Sequence, residues 1–228
     1  MKYFFDTEFI EGFKKPIKWL PTIGSFNKPY HSIQLISIGI VCEDGREYYA
    51  ISYEFDEKDA SEWVVNNVIS KLGERYFNGR NAFSAKLWRT NDQIKREILQ
   101  FFKYKAEWTD YGSDIFSEDD DISVYAYYAD YDWVVLCSLF GTMMDLPKGF
   151  PMYCRDLKQE IDRIANKAVK YRNDPQWKKF NIASEYISTE DALRQIKGHE
   201  DYPTQQNEHN ALDDAKWNFK LYEFLKTL

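Results

Sequence analysis

The first fifty residues carry strand patterning. Residues 2–9 (KYFFDTEF) and 33–42 (IQLISIGIVC) are short, mostly apolar runs, and 46–55 (REYYAISYEF) alternates. Asp44-Gly45 between the last two is a hairpin signal. The pattern predicts an antiparallel three-strand beginning. Residues 11–32 contain Pro16, Pro21, Gly24 and Pro29 with no clear period, and read as a loop.

Further along, the period changes. Residues 60–72 and 91–105 repeat their apolar positions at helical spacing, the second segment with Asn91 or Asp92 as its expected cap. Residues 122–129 (ISVYAYYA) predict a strand. A short helix over 131–140 follows, with Asp130 in the capping position and Gly141 as its stop. Residues 152–155 predict another strand, and Asp156 with Gln159 opens a helix to about 170. Ser188 to Asp191 is a capped start and Gly198 a stop. Residues 199–208 are a polar loop, and the final helix covers 210–226. Strands followed by βα alternation predict an α/β fold, a mixed β-sheet flanked by α-helices. The length of 228 residues suits a single domain, 1–228.

Composition narrows the class. Hydrophobic content of 44% and aromatic content of 18% mark a globular chain. Cys42, Cys137 and Cys154 form neither a CxxC nor an even framework, which predicts reduced thiols and a cytoplasmic location. Asp6 and Glu8 interrupt the only apolar N-terminal stretch, so no secretory leader is expected. No run approaches the roughly 20 apolar residues of a membrane span. The net charge of −7 disfavours a simple nucleic-acid binder, because phosphate affinity comes from Lys and Arg. That objection weakens if carboxylates are grouped around divalent cations. The acidic run 117–121 reads as a solvated turn, and His31 and His199 as surface residues.

The candidate chemistry lies in three segments. In YFFDTEFI, strand alternation points Asp6 and Glu8 to one face and Phe5, Thr7 and Phe9 to the other. Two carboxylates on one face repel unless a cation or a proton lies between them. In YADYDWVVLCSLFG, Asp132 shares a helical stripe with Val135, Leu136 and Leu139 and should face inward. In HNALDDAKWNFKLYEFL, Asp214 shares the mostly apolar stripe of Asn218, Leu221 and Leu225. Asp213 shares the solvated one of Lys216, Lys220 and Glu223. His209 stands at the entrance of that last helix. Four inward carboxylates from separate segments form a ligand set for two hard divalent ions, and a nearby histidine can accept a proton near neutral pH.

Taken in order, Asp6-x-Glu8, Asp132 after a tyrosine at a helix start, and His209 with four residues before Asp214 resemble the DEDDh 3′–5′ exonucleases. The stretches FFDTEFIE, LISIGIVCEDGREYYAIS, YDWVVLCSLFG, CRDLKQ and EHNALDDAKWN resemble most closely the bacterial and phage 3′–5′ exoribonuclease AS family. The resemblance implies a ribonuclease H-like fold and two Mg²⁺ or Mn²⁺ ions held by Asp6, Glu8, Asp132 and Asp214. It further implies His209 as general base, and release of nucleoside 5′-monophosphates from single-stranded 3′ ends of RNA. Thr7, Phe9, Ser37 and Tyr131 are the candidate substrate contacts, with Tyr128 nearby. The 11–32 segment departs from the family pattern as a basic insertion. Its Lys14, Lys15, Lys18 and Lys28, with Arg163, Lys167, Lys170, Arg172, Lys178 and Lys179, are a candidate phosphate rail. A DNA-directed exonuclease and a catalytically silent nucleic-acid-binding module on the same scaffold are the competing readings. No membrane partner is expected. The oligomeric state stays open, a homodimer included.

Overall fold

The computed structural model describes residues 1–73, 86–102, 122–170 and 188–228. Six strands form one sheet: β1 (Lys2–Lys14), β2 (Tyr30–Cys42), β3 (Glu47–Ser52), β4 (Trp88–Arg89), β5 (Ser123–Ala126) and β6 (Arg155–Asp156). Their spatial order is β4-β3-β2-β1-β5-β6. β1, β2 and β3 are antiparallel neighbours, whereas β4, β5 and β6 each join in parallel. The mixed α/β sheet predicted by the pattern is therefore present.

Six helices accompany it among the described residues: α1 (Glu62–Asn67), α2 (Asn91–Phe102), α3 (Ala129–Ser138), α4 (Leu157–Lys170), α5 (Thr189–Lys197) and α6 (Ala211–Leu225). Alternation along β1 distributes them between the two faces. Phe5 meets Trp133 of α3, and Tyr3 meets Phe102 of α2. Phe4, pointing the other way, meets Phe219 and Tyr222 of α6. Burying these rings on both faces is the main favourable term holding the layers together. The core over α2 and α3 centres on Ile38, Ile40, Ile94, Ile98 and Val135. A second cluster joins α4, α5 and α6 through Ile161, Ile196 and Leu221.

Several local expectations are corrected. Residues 11–32 are not a plain loop. β1 continues to Lys14 and β2 starts at Tyr30, pairing as far as Lys14 opposite Tyr30. The tip is organised by buried Asn27, whose side chain accepts from the Ile17 amide and donates to the Ile17 and Leu20 carbonyls. Lys14 pairs with Asp59, and Lys18 with Asp56 and Asp59, so two of the four lysines of this segment are engaged.

β5 stops at Ala126 rather than near 129, and α3 starts at Ala129. Asp130 is therefore inside the first turn and exposed. The Ala129 amide donates instead to Asp156, 27 residues later in the chain. The cap of α2 is Thr90, not Asn91 or Asp92. Its hydroxyl accepts from the Gln93 amide while Gln93 Oε1 accepts from the Thr90 amide. The return strand ends at Ser52, and the 60–72 segment divides into α1 and a 3₁₀ turn at Ile69–Lys71. The strand expected over 152–155 is β6 at Arg155–Asp156. The Ser188–Asp191 capping box and the Gly198 stop are as expected, and α4 runs to Lys170, the last residue described before 188. The acidic run 117–121 and the basic residues beyond Lys170 fall outside the described residues.

Candidate active site

β1 delivers Asp6 and Glu8 to the same face, beside the N-terminus of α6. One contact makes that approach feasible. Gly39 of β2 pairs across the sheet with Asp6, and its missing side chain is what lets α6 sit down. A Cβ on Gly39 would fall 2.3 Å from the Ala211 carbonyl oxygen and 2.3 Å from the Leu212 amide nitrogen. The start of α6 thus rests directly on the sheet, where Asn210 caps it by accepting from the Leu212 and Asp213 amides. Asp214, one turn in, faces the strand carboxylates. Asn218, one turn further, donates from Nδ2 to the Phe5 carbonyl at 3.0 Å.

Asp6, Glu8 and Asp214 each offer a carboxylate oxygen within 4.8 Å of the others. Asp214 is held from both sides. Gln205 Nε2 donates to its Oδ1 at 2.6 Å, and the His209 amide donates to its Oδ2 at 2.9 Å. Asp213 turns to Asn207 instead. Asp132 is buried at the start of α3, where its Oδ1 accepts from the Thr7 amide at 2.9 Å and the Thr7 hydroxyl at 2.6 Å. It stands outside the three-carboxylate group but is close enough to influence Asp6 and Glu8 electrostatically. The imidazole Nδ1 of His209 lies 4.0 Å from Glu8 Oε1.

The electrostatics of the four carboxylates share one sign. Burial, then repulsion from Asp132, Glu8 and Asp214, pushes Asp6 well above the ordinary carboxylate range. Glu8 is pushed up to about 8 by burial and by Asp214 and Asp132, against a lowering contribution from Lys71. Burial raises Asp132 to about 7, opposed by the two Thr7 hydrogen bonds and reinforced by Asp156 and Asp214. Asp214 is also raised, chiefly by burial, although its hydrogen bonds from Gln205 and His209 oppose the shift.

A cleft of about 330 Å³ opens over this group, lined by Thr7, Phe9, Tyr128, Tyr131 and Trp217 as well as by the carboxylates and His209. Phe9 and Tyr131 stack with centroids 5.8 Å apart and planes only 9° from parallel. Of the candidate substrate contacts, Thr7, Phe9 and Tyr131 line the cleft. Ser37, opposite Glu8 in the register, is wholly buried and does not.

Four contributors were not visible in the sequence. Gln205 sits in a polar loop with nothing to distinguish it. Trp63 lies in α1, far along the chain, yet packs edge-on against His209. Lys71 donates from Nζ to the Glu208 carbonyl at 2.8 Å and lies close enough to Glu8 to lower its pKa. Asn218 was read only as part of an apolar stripe. Its Oδ1 is buried and has no hydrogen-bond partner among the described residues.

The residues present fit a divalent cation on their own chemistry. Three converging carboxylates, all raised by burial, with Asp6 and Glu8 raised further by repulsion from Asp214, are a hard-oxygen donor set for such an ion. A mixed sheet flanked by helices, with the Asp-Glu pair on its first strand, an aspartate on its last helix and a histidine in the loop just before that helix, defines a ribonuclease H-like protein of the DEDDh exonuclease type. Comparison with known proteins gives the same class. The 3′–5′ exoribonuclease Rv2179c-like domain family matches residues 24–225, and the chain belongs to that family. Among curated relatives, the 3′–5′ exoribonuclease Rv2179c of Mycobacterium tuberculosis H37Rv is 36% identical over 159 residues, covering 70% of this chain and 73% of its own length. The 3′–5′ exoribonuclease MT2234.1 of Mycobacterium tuberculosis CDC 1551 is similar to the same extent. The family implies divalent metal ions. No helix among the described residues is long and apolar enough to cross a membrane.

Proposed function

We propose that this protein hydrolyses single-stranded RNA from the 3′ end and releases nucleoside 5′-monophosphates. Asp6, Glu8, Asp132 and Asp214 are the ligands of two divalent ions, Mg²⁺ or Mn²⁺, and His209 is the general base. The observation that carries the proposal is the convergence of half-buried Asp6 and Glu8 with buried Asp214 beside His209. The names of the relatives supply the choice of RNA over DNA. When bound, the ions supply positive charge to the attacking and leaving oxygens of an in-line displacement.

The chain's own residues do the rest. The stacked Phe9 and Tyr131 rings and exposed Tyr128 form an aromatic wall for the terminal base. Thr7 fixes Asp132 through two hydrogen bonds, and Gln205 with the His209 amide fixes Asp214, so neither carboxylate has to be ordered when substrate binds. The water oxygen bonds to the terminal phosphorus as the bond from phosphorus to the 3′ oxygen breaks. His209 takes the water's proton at its imidazole, the departing 3′ oxygen takes a proton from solvent to become a hydroxyl, and His209 returns its own proton to solvent after release.

The test is a time course on a 5′-labelled RNA and the DNA of the same sequence, with Mg²⁺, Mn²⁺ or EDTA. A metal-dependent ladder shortening from the 3′ end of RNA is expected, absent in the Asp6→Ala variant. Retained cleavage in that variant, or none of either strand with any metal, would overturn the reading.

A further inference from the structure

β1 runs on past the cleft, and its outward face continues the aromatic character of the cleft wall. Residues 9, 11 and 13 lie on one face of the strand. Phe9 stacks with Tyr131, and Phe13, four residues further, meets His31 of β2 edge-on at 5.9 Å. Glu11 sits between the two pairs, and its Oε1 accepts from the Tyr131 hydroxyl at 3.2 Å and contacts His31 Nε2 at 2.9 Å. One carboxylate therefore fixes the edges of both ring pairs.

The outer rings are open to solvent. Phe13 is 77% exposed, and Trp19 beyond it is 84% exposed. Lys15 and Lys28 in the same arm are exposed and have no acidic partner among the described residues, unlike Lys14 and Lys18. Exposed Trp19, Ile23, Phe26 and Tyr30 gather with Phe13 in this one arm, and apolar groups concentrated in one region mark an interaction site where single ones do not. Rings at intervals beside unpaired lysines are how proteins hold single-stranded nucleic acid without reading its sequence.

We infer that the β1–β2 arm is a track for the RNA upstream of the scissile nucleotide, with Phe13 and His31 as a stacking platform and Lys15 and Lys28 as phosphate contacts. This rests on the exonuclease reading and deepens it. The four-residue step from Phe9 to Phe13 is about 13 Å along the strand, roughly the length of four stacked nucleotides. A dinucleotide held in the cleft does not reach Phe13, whereas a dodecanucleotide covers the arm. Because β1 carries both Asp6 and the arm, the direction of the track is tied to the catalytic end.

The experiment is fluorescence anisotropy with 5′-labelled dinucleotide and dodecanucleotide RNA, in EDTA so that neither is degraded. The wild type is compared with the Phe13→Ala/His31→Ala and Lys15→Ala/Lys28→Ala double variants, each checked for an unchanged sedimentation profile. The wild type should bind the dodecanucleotide at least tenfold more tightly than the dinucleotide, and each double variant should lose most of that advantage. The lysine pair should also flatten its dependence on salt. Equal binding of the dodecanucleotide by wild type and both variants would overturn the track while leaving the exonuclease reading intact. So would a wild-type dimer that Phe13→Ala/His31→Ala converts to monomer, which would make the arm a contact between copies of this chain. If metal-loaded wild type degrades no RNA, the failure lies with the exonuclease reading itself.

Discussion

Trp63 sets its indole edge-on to the imidazole of His209, ring centroids 4.9 Å apart and planes at 80°. His209 carries a positive φ of 69°, a conformation that non-glycine residues adopt only when their surroundings enforce it. The enforcement is visible in the His209 amide bond to Asp214, the Lys71 bond to the neighbouring carbonyl, and the Trp63 ring. Removing the ring should let the imidazole swing away from Glu8. Trp63→Ala is expected to lower kcat by roughly tenfold or more, with KM and thermal midpoint little changed because Trp63 is half exposed. Trp63→Phe should recover most of the loss. Equal kcat in wild type and Trp63→Ala would remove Trp63 from the positioning of His209.

The raised carboxylates make a prediction about stability. Glu8, pushed up to about 8, and Asp132, to about 7, hold protons in the folded chain over a pH range where the unfolded chain has released them. Where the folded state binds more protons, stability falls as pH rises. Below the ordinary carboxylate range both states are protonated and the site costs nothing. Between about pH 4.5 and 8, the metal-free protein should lose stability steadily. Divalent ions bind the deprotonated folded form and should restore it, increasingly so toward pH 8. Thermal unfolding from pH 5 to 8, with EDTA and with Mn²⁺, measures both slopes. A metal-free midpoint that rises with pH would show that these groups are not the dominant linked protons.

Which parts of this site were readable depends on the range of the forces that build it. Asp6 and Glu8 follow from strand alternation, and Asp214 from the 3.6-residue period that buries Asn218, Leu221 and Leu225 with it. Both periods are local, so the sequence carries them. The cap of α2 falls on Thr90 rather than Asn91 or Asp92 because three good capping residues stand in a row, and only geometry chooses among them. The cap of α3 was unreadable for a deeper reason, since its acceptor is Asp156, supplied by another strand. The arm has no strand signature in the sequence because its strands are held by pairing with each other rather than by a buried face, which leaves no alternation to see. Trp63, Lys71 and Gln205 reach the site only through tertiary contacts.

Adjacent aspartates on α6 should behave oppositely. Asp214 is buried among the carboxylates, whereas Asp213 turns outward to Asn207. Asp214→Asn removes one donor oxygen charge from the metal group and should abolish RNA hydrolysis, with a loss of at least a hundredfold in kcat. The same change should raise the stability of the metal-free protein, because it relieves repulsion with Glu8. Asp213→Asn should leave kcat within about twofold, since exposed single contacts contribute little. Comparable loss in the two variants would mean that the helix start, rather than the inward carboxylate, is what matters.

The tightest constraint on the site lies outside its chemistry, at Gly39. Its Cα sits against the first turn of α6, and a methyl group there would lie far inside contact distance of the Ala211 carbonyl oxygen and Leu212 amide nitrogen. Both are backbone atoms, so no rotamer change can relieve the clash. The helix must lift, and with it go Asp214 and the loop bearing His209, both of which face Asp6 across from Gly39. Overpacking at such a contact costs about 1–3 kcal/mol. Gly39→Ala is therefore expected to lower the denaturation midpoint by that much. It should also reduce hydrolysis well beyond what the stability loss explains, with weaker Mn²⁺ binding by calorimetry because the three carboxylates no longer converge. Metal affinity equal to wild type in a folded Gly39→Ala protein would show that the site tolerates a displaced helix. The close approach of α6 would then serve packing alone.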